Sequence, residues 1–486
     1  MIPARADVVI VGGGSCGCVL AARLSDDPDR TVLVLEEGAA FGSASDVPRE
    51  IRDAAVLPVG PESLWTTDFP ARLTPDVDTT VARGRVLGGS GAVNGAYFVR
   101  ARPDDFASWP ASWSYEQVLP YFRAVETDAD FTGDLHGNSG PIPVARVPRD
   151  RMHPLSHAFA DAAECAGFVS VADLNAPGPD GVGAVPSNVR DGTRVSSFLA
   201  YLAPVLDRPN LTVAGGVAAT RVVVAGDRAV GVEIAGPEGP RTISAGDVIV
   251  AAGAVRSPQL LMLSGIGPAD ELRRLGIDPL HDLPGVGRDF SDHPEFTVPY
   301  RFRPDLPPHT VLLETVLHTE NLELRPYTAA FGAAIPGSGV PDPVLGVVLT
   351  GTRSRGRIVL DERDPRRPPL LDYRYLTDPA DRKVLEEGVG FAADLLARTV
   401  GVVETGSVDV AGGRLGTSLH LSGTCRMGDD DRAVVDEWCR VRGIDGLSVV
   451  DTSVFPQVPS RGPHATAVML AHRVATGARH GLPFPV

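Results

Sequence analysis

The run Val9-Ile10-Val11-Gly12-Gly13-Gly14-Ser15-Cys16-Gly17 leaves this chain little freedom in how it begins to fold. An apolar strand (Val8 to Val11) enters a glycine turn, and Val19-Leu20-Ala21-Ala22-Arg23-Leu24 leaves it with helical spacing. A second strand follows at Thr31 to Leu35, so residues 7–36 read as one βαβ unit. The spacing Gly12-x-Gly14-x-x-Gly17 has a mechanical reading. The first glycine permits the tight turn, the second lets backbone approach a pyrophosphate, and the third lets the helix pack closely on the strand. Unpaired N–H groups at the helix start favour phosphate charge. Glu36 stands 24 positions after Gly12 at the tip of the second strand, where a carboxylate can accept both ribose hydroxyls. Together these features predict dinucleotide binding. The same letters spell Gly13-x-Ser15-x-Gly17, the nucleophile elbow of hydrolases. That elbow normally follows several strands, and it needs no acid at the tip of the next one, so the hydrolase reading is the weaker. Cys16 and Cys18 read as small residues packed at the helix start.

The chain is 486 residues long, more than one ordinary core accommodates, and two or more domains are expected. Hydrophobic residues make up 43% and charged residues 22%, the balance of a globular protein. A net charge of −16 argues against binding nucleic acid through its phosphates. Lys383 is the only lysine, which excludes a Walker-type phosphate loop and any Schiff base elsewhere in the chain. Five scattered cysteines make no disulfide framework, and no Cys/His set has zinc-like spacing, so no metal is expected. No apolar run reaches the ~18 residues of a membrane span, and the first strand begins too early for a cleavable leader. A cytoplasmic, reduced protein is the expectation.

Further along, Val56 to Ala92 reads as loop-like and Trp113 to Glu126 as a short amphipathic helix. Strand patterns return at Leu211 to Val213, Arg221 to Val224, Ala229 to Ile234 and Asp247 to Ala251. The segment 295–375 suggests an antiparallel sheet, Pro379 to Arg398 a helix, Leu447 to Val450 a strand and Thr466 to Thr476 a helix. The apolar strand ending in Ala251-Ala252-Gly253-Ala254 is of the kind that flavoproteins bring close to a nucleotide, but composition alone does not separate FAD from NAD.

Three segments besides the glycine turn resemble the glucose–methanol–choline (GMC) oxidoreductases, FAD-dependent enzymes acting on alcohols. They are Arg83 to Gly95, Gly253 to Pro268, and His420 to Thr466. The wording of Gly91 to Arg100 and the short chain further resemble a bacterial subgroup linked to the redox peptide mycofactocin. The resemblance implies an α/β fold. An FAD-binding Rossmann-like domain, of the glutathione-reductase type, would comprise 1–140, 205–294 and 425–486. An interleaved α+β substrate domain on an antiparallel sheet would comprise 141–204 and 295–424. It also implies a set of FAD contacts at Gly12, Gly14, Ser15, Gly17, Glu36, Arg83 and Leu87. Gly88, Gly89 and Ser90 would line the pyrophosphate and ribityl chain, and Asn94 would hydrogen-bond near the isoalloxazine ring. Ala219 would contact the adenine through its backbone. Asp451 and Thr452 would form a second helix N-terminus aimed at the cofactor, and Ala252, Gly253, Ala465 and Thr466 complete the set. Some relatives attach FAD covalently through a histidine one residue before that asparagine. Here the position is Val93, so dissociable FAD is expected.

The same resemblance implies a histidine base, assisted by a histidine or asparagine about 44 positions later. His420 and His464 are 44 apart, and both flanks match. Oxidising an alcohol removes a proton from oxygen and a hydride from carbon. An imidazole suits the proton, an effect worth about 10²–10⁴ in rate, and a second can donate to the developing alkoxide. His420 is read as the base and His464 as the stabiliser; the reverse stays open, since the two would titrate as a pair. His293, in Asp292-His293-Pro294, fits the family pattern but is read as structural, like the other histidines. Trp65, Trp109 and Trp113 are read as core. The expected substrate is a small alcohol or reduced mycofactocin, with a cyanohydrin-type lyase as a different class. The electron acceptor, the oligomeric state and the choice between oxidase and dehydrogenase have no signature in the residues.

Overall fold

A computed structural model describes residues 2–235, 240–303, 311–399 and 401–479. Five strands form a parallel sheet in the order Leu211–Ala214, Val32–Leu35, Arg5–Val11, Arg241–Val250, Leu447–Val449. Strands covered on both faces must be apolar throughout, and Val8 to Val11 and Val32 to Leu35 are buried at every position. Arg241–Val250 is long enough to do two things. Its second half joins the parallel sheet, while its first half pairs antiparallel with Arg228–Ile234, which in turn pairs with Ala219–Ala225. The helix Ser15–Leu24 packs against the C-terminal helix His464–Arg479, and the Cys16 thiol contacts the carbonyl of Ala467 at 3.3 Å. Residues from the two ends of the chain thus share one layer over the glycine turn.

A second sheet of seven strands runs Arg414–Thr417, Pro294–Pro299, Pro343–Leu349, Leu322–Ala330, Thr315–His318, Gly181–Ala184, Val169–Ser170. All pairs are antiparallel except the last. Period-2 alternation sorts its side chains. Phe296, Val298 and Leu324 pack toward the helices Pro154–Cys165 and Pro379–Ala397. Glu295, Thr297, Arg325 and Tyr327 turn to the other face, which lines a cavity.

The expected α/β class, with a Rossmann-like parallel sheet beside an antiparallel one, is what the chain adopts. Three local expectations need correction. The stretch read as loop holds a hairpin, Thr66–Thr74 with Val77–Gly84, turning at Pro75-Asp76, a turn pair whose signal was masked by the surrounding prolines and glycines. That hairpin joins Arg288–Phe290, Gly356–Val359 and Leu370–Asp372 in a third sheet, so 295–375 is not one sheet. The last helix begins at His464 rather than Thr466, its first turn following Pro463. Among the described residues no helix is long and apolar enough to cross a membrane.

Candidate active site

One cavity of about 650 Å³ runs from the glycine turn to the face of the antiparallel sheet, within the usual size of cofactor and ligand pockets. At its first end the turn is held by two contacts that allow no side chain. Gly12 has φ +101°, and a β-carbon there would lie 2.5 Å from the carbonyl oxygen of Ala251. A β-carbon on Gly17 would collide with the carbonyl oxygen of Gly12. Gly14 behaves differently: a β-carbon would find its nearest atom 3.8 Å away. Its bareness serves whatever occupies the cavity it lines. Glu36 is buried, with Oε2 accepting the N–H of Gly13 and Oε1 that of Gly38, each at 2.8 Å. Burial pushes its carboxyl above the ordinary value, while these two backbone donors hold it down.

A second glycine-rich turn crosses the first. A β-carbon on Gly89 would meet the Cα of Gly14 at 2.8 Å, and Ser15 donates to the carbonyl of Gly88 at 3.3 Å. The crossing opens a cradle of bare backbone between Gly12, Gly14 and Gly89. Beyond it, His464 Nε2 is buried with no hydrogen-bond partner. A bare cradle, a carboxylate at its rim and an orphaned imidazole nitrogen fit a bound FAD.

His420 and His464 both line this cavity. The backbone N–H groups of His420 and His293 both donate to Oδ1 of Asp292, each at 2.7 Å. Leu419, at φ +63°, turns its carbonyl to the guanidinium of Arg83, which also lies 3.8 Å from Asp292. Burial pushes His464 down to about 4. Burial, then the neighbouring His293 and Arg325, hold His420 well below the ordinary imidazole value. Both rings are therefore uncharged near neutral pH, the form that can accept a proton. Phe98 meets His464 edge-on, ring centres 5.6 Å apart.

His293, expected to be structural, lies against His420. Its Nδ1 lies 2.9 Å from Nδ1 of His420, with the rings at 85°. The polar wall beside this pair belongs to no local sequence motif. Glu295 accepts from Ser418 at 2.7 Å, Tyr327 at 3.0 Å and Arg325 at 3.2 Å. Arg325 also reaches Glu323 at 2.5 Å, and Glu323 accepts from Tyr97 and pairs with His318, both at 2.8 Å. Glu295 is two residues after His293 and Ser418 two before His420, so period-2 spacing from either histidine could have found them. Leu57, Val59, Leu312, Leu313, Phe331 and Ile335 form the apolar remainder of this end.

Of the expected cofactor residues, Gly12, Gly14, Ser15, Glu36, Arg83, Gly89, Ser90, Asn94, Ala219, Ala252, Gly253, Asp451 and Thr452 line the cavity. Gly17, Leu87, Gly88, Ala465 and Thr466 do not. Gly17 and Leu87 pack beneath the turn, Gly88 donates its N–H to the Gly13 carbonyl, and the Thr466 hydroxyl faces the N–H of Ala101. Asp451 caps a short helical turn, and both Asp451 and Thr452 line the cavity. A single turn, Thr452–Val454, follows it, and its carboxylate is taken by Ser257 (2.6 Å), Gly253 N–H (2.9 Å) and Ser453 N–H (2.8 Å). Trp109 and Trp113 are buried core, and Trp65 bonds Glu50 outside the cavity. His309 and His480 lie outside the described residues.

Away from the cavity, Glu126, Asp128 and His136 come close enough to hold a metal ion, which the sequence spacing did not suggest. Two guanidinium groups already occupy their surroundings. Arg100 bonds Glu126 at 2.5 Å and Arg146 bonds Asp128 at 2.8 Å, and the cluster reads as an ion-pair network.

Comparison with known proteins fits this geometry. The sequence matches the family description "GMC oxidoreductase" in two parts, an N-terminal region over residues 6–295 and a C-terminal region over residues 352–471. It is 49% identical over 483 residues to an uncharacterized GMC-type oxidoreductase of the thcA 5' region in Rhodococcus erythropolis, covering 97% of each chain. It is 32% identical to an oxygen-dependent choline dehydrogenase of Vibrio vulnificus, covering 99% of this chain and 95% of that one. Among solved structures it resembles pyridoxine 4-oxidase from Mesorbium loti, with TM-score 0.90, 29% identity and coverage of 98% and 99%.

Proposed function

This chain belongs to the GMC oxidoreductase family, whose members are FAD-dependent enzymes acting on alcohols, and from that premise we propose that it oxidises an alcohol with His420 as base and His464 as alkoxide donor. The observation that carries this reading is that two uncharged imidazoles line the same cavity as the glycine cradle and Glu36. Bound FAD supplies the hydride acceptor.

The protein's own part follows from its residues. Gly12, Gly14 and Gly89 would hold the pyrophosphate by backbone, and Glu36 the adenosine ribose. Ala219 would lie by the adenine and Asn94 near the flavin ring. Val93 offers no nucleophile, so the cofactor is held without a covalent bond. The apolar walls exclude water, which strengthens every remaining polar contact. His420 takes the alcohol's proton as the C–H bond weakens, so its positive charge forms opposite the developing alkoxide rather than alone in the cavity. His464 donates to that oxygen.

The relatives named as choline dehydrogenase and pyridoxine 4-oxidase support an alcohol carbon as the reacting centre. Reduced mycofactocin and small alcohols are both proposed substrates. The proposed organisation assigns 1–140, 205–294 and 425–486 to FAD and 141–204 and 295–424 to substrate, in a protein working in the cytoplasm. The test is anaerobic mixing of the yellow holoenzyme with primary alcohols, polyols, aromatic alcohols and reduced mycofactocin. Bleaching of the flavin by one of them supports the reading, and far faster bleaching by reduced mycofactocin would identify that substrate. Cyanohydrin cleavage without bleaching would replace the oxidation by a lyase reaction.

A further inference from the structure

We propose that the substrate is a neutral alcohol carrying a second uncharged polar group, a hydroxyl or a carboxamide, which Arg325 and Glu295 hold together. The inference rests on the proposed oxidation at His420 and names the class of alcohol that the cavity beside it takes.

The polar wall leaves one donor and one acceptor unused, side by side. Arg325 gives Nε to Glu323, and Nη1 to Glu295 and Ser418. Among the described residues nothing accepts from its Nη2, although the side chain lines the cavity. Glu295 is filled on one side only. Its Oε2 accepts from Ser418 and Arg325, while among the described residues only Tyr327 donates to Oε1. A carboxylate oxygen has two lone pairs, so one remains on Oε1. A hydroxyl or a carboxamide can accept from Nη2 and donate to Oε1, whereas a methyl group can do neither. The backbone makes room for this pair. Gly346 lies in the strand between, opposite Thr297 on one side and Arg325 on the other. A β-carbon there would stand 2.3 Å from Oε1 of Glu295 and 3.1 Å from the Tyr327 ring.

The charges select against ions of either sign. Toward the cavity the wall shows one guanidinium and one carboxylate, already paired at 3.2 Å. Glu323, on the other side of Arg325, is engaged by Tyr97 and His318 and does not line the cavity. Behind it Arg461 is paired with Asp180 at 3.4 Å, and Arg83 is taken up by Leu419 and Asp292. An anion brought to Arg325 would lie against Glu295, and a cation brought to Glu295 would lie against Arg325. Either ion would lose its water without gaining a free counter-charge. The spacing follows from the chain. His293, whose ring touches His420, and Glu295 are alternate residues of one extended segment, about 6–7 Å apart. That separation matches an alcohol oxygen and a second polar group joined by a four-carbon chain.

The test is anaerobic flavin reduction in the FAD-loaded enzyme by primary alcohols with a four-carbon chain ending in methyl, hydroxyl, carboxamide, carboxylate or ammonium. The expected order puts the hydroxyl and carboxamide ends at least about tenfold above methyl in kcat/KM. Each charged end should fall about 10²-fold or more below the neutral polar ends. A methyl end equal to both polar ends, or a charged end in first place, would overturn the inference. Glu295→Gln supplies a second readout, because it keeps the shape of the wall but leaves Arg325 with one counter-charge fewer. In this variant the kcat/KM ratio of the carboxylate end to the hydroxyl end should rise at least about tenfold. An unchanged ratio in a folded, yellow variant would also overturn it. If no alcohol bleaches the wild-type flavin, the proposed function fails. The same five compounds are then ranked by the affinity with which they perturb the flavin spectrum, and a charged or methyl end binding best overturns the inference separately.

Discussion

A β-carbon on Gly91 would lie 2.5 Å from Cε1 of His464 and 2.5 Å from Oγ of Ser15. The glycine lets the second glycine-rich turn, the first helix and the start of the last helix share one point. Gly91→Ala should therefore push the His464 ring aside and slow flavin reduction by about 10²- to 10³-fold, the loss of a well-placed donor. Overpacking should also lower stability by about 1–3 kcal/mol. Stopped-flow reduction and thermal melting check both, and unchanged reduction would remove His464 from the reacting centre.

Glu36 is tied to two backbone N–H groups of adjoining turns. Replacing it by alanine leaves both donors unsatisfied and removes the proposed ribose acceptor. Glu36→Ala should weaken FAD binding by about 10- to 100-fold, equivalent to the loss of one or two good hydrogen bonds. Titration of the apoprotein with FAD measures this directly; an unaltered dissociation constant would count against the ribose role.

Glu295 anchors the polar wall by accepting from Ser418, Tyr327 and Arg325. Glu295→Gln keeps the shape but takes one charge from Arg325. The expected outcome is a raised KM for the preferred alcohol, about tenfold, as follows from weakening a buried charge-assisted contact. FAD content should stay the same. A KM indistinguishable from wild type would place the wall outside substrate recognition.

His136 is held by three carboxylates away from the cavity, with Nε2 2.8 Å from Asp173 and Nδ1 near Glu126 and Asp128. Burial opposes its charge, but hydrogen bonds to Asp128, Asp173 and Glu126 outweigh it and raise the imidazole to about 10. Its ordinary unfolded value is about 6.5. A raised histidine stabilises the fold fully below the unfolded value, and that contribution fades as pH rises toward about 10. Melting temperature should fall between pH 7 and pH 10, and His136→Gln should melt lower at pH 7 with a shallower decline. Parallel declines in the two proteins would show that another group sets the slope.

Much of this site is legible in local sequence because its parts are local. The Gly12-x-Gly14-x-x-Gly17 turn needs only neighbouring residues, and the apolar runs at Val8 to Val11 and Val32 to Leu35 declare a doubly covered sheet. His420 and His464 stand out only through the resemblance of their flanks and of their separation of 44 to the GMC pattern. What escaped depends on distant pairing. His293 reaches His420 because strand Pro294–Pro299 pairs with Arg414–Thr417. Arg325 and Tyr327 matter because their strand turns alternate residues into the cavity. Asp451 caps the short turn Thr452–Val454, but its carboxylate also meets Ser257 and Gly253, partners nearly two hundred residues earlier that no local pattern reveals.

The most direct measurement is anaerobic reduction of the bound flavin by the best alcohol in wild type and His420→Ala, with the yellow spectrum confirming equal FAD content. The account predicts that the variant keeps its flavin and its fold, yet is reduced about 10²- to 10⁴-fold more slowly at neutral pH. A variant reduced as fast as wild type would contradict it, because no base at His420 would then be needed to take the alcohol's proton.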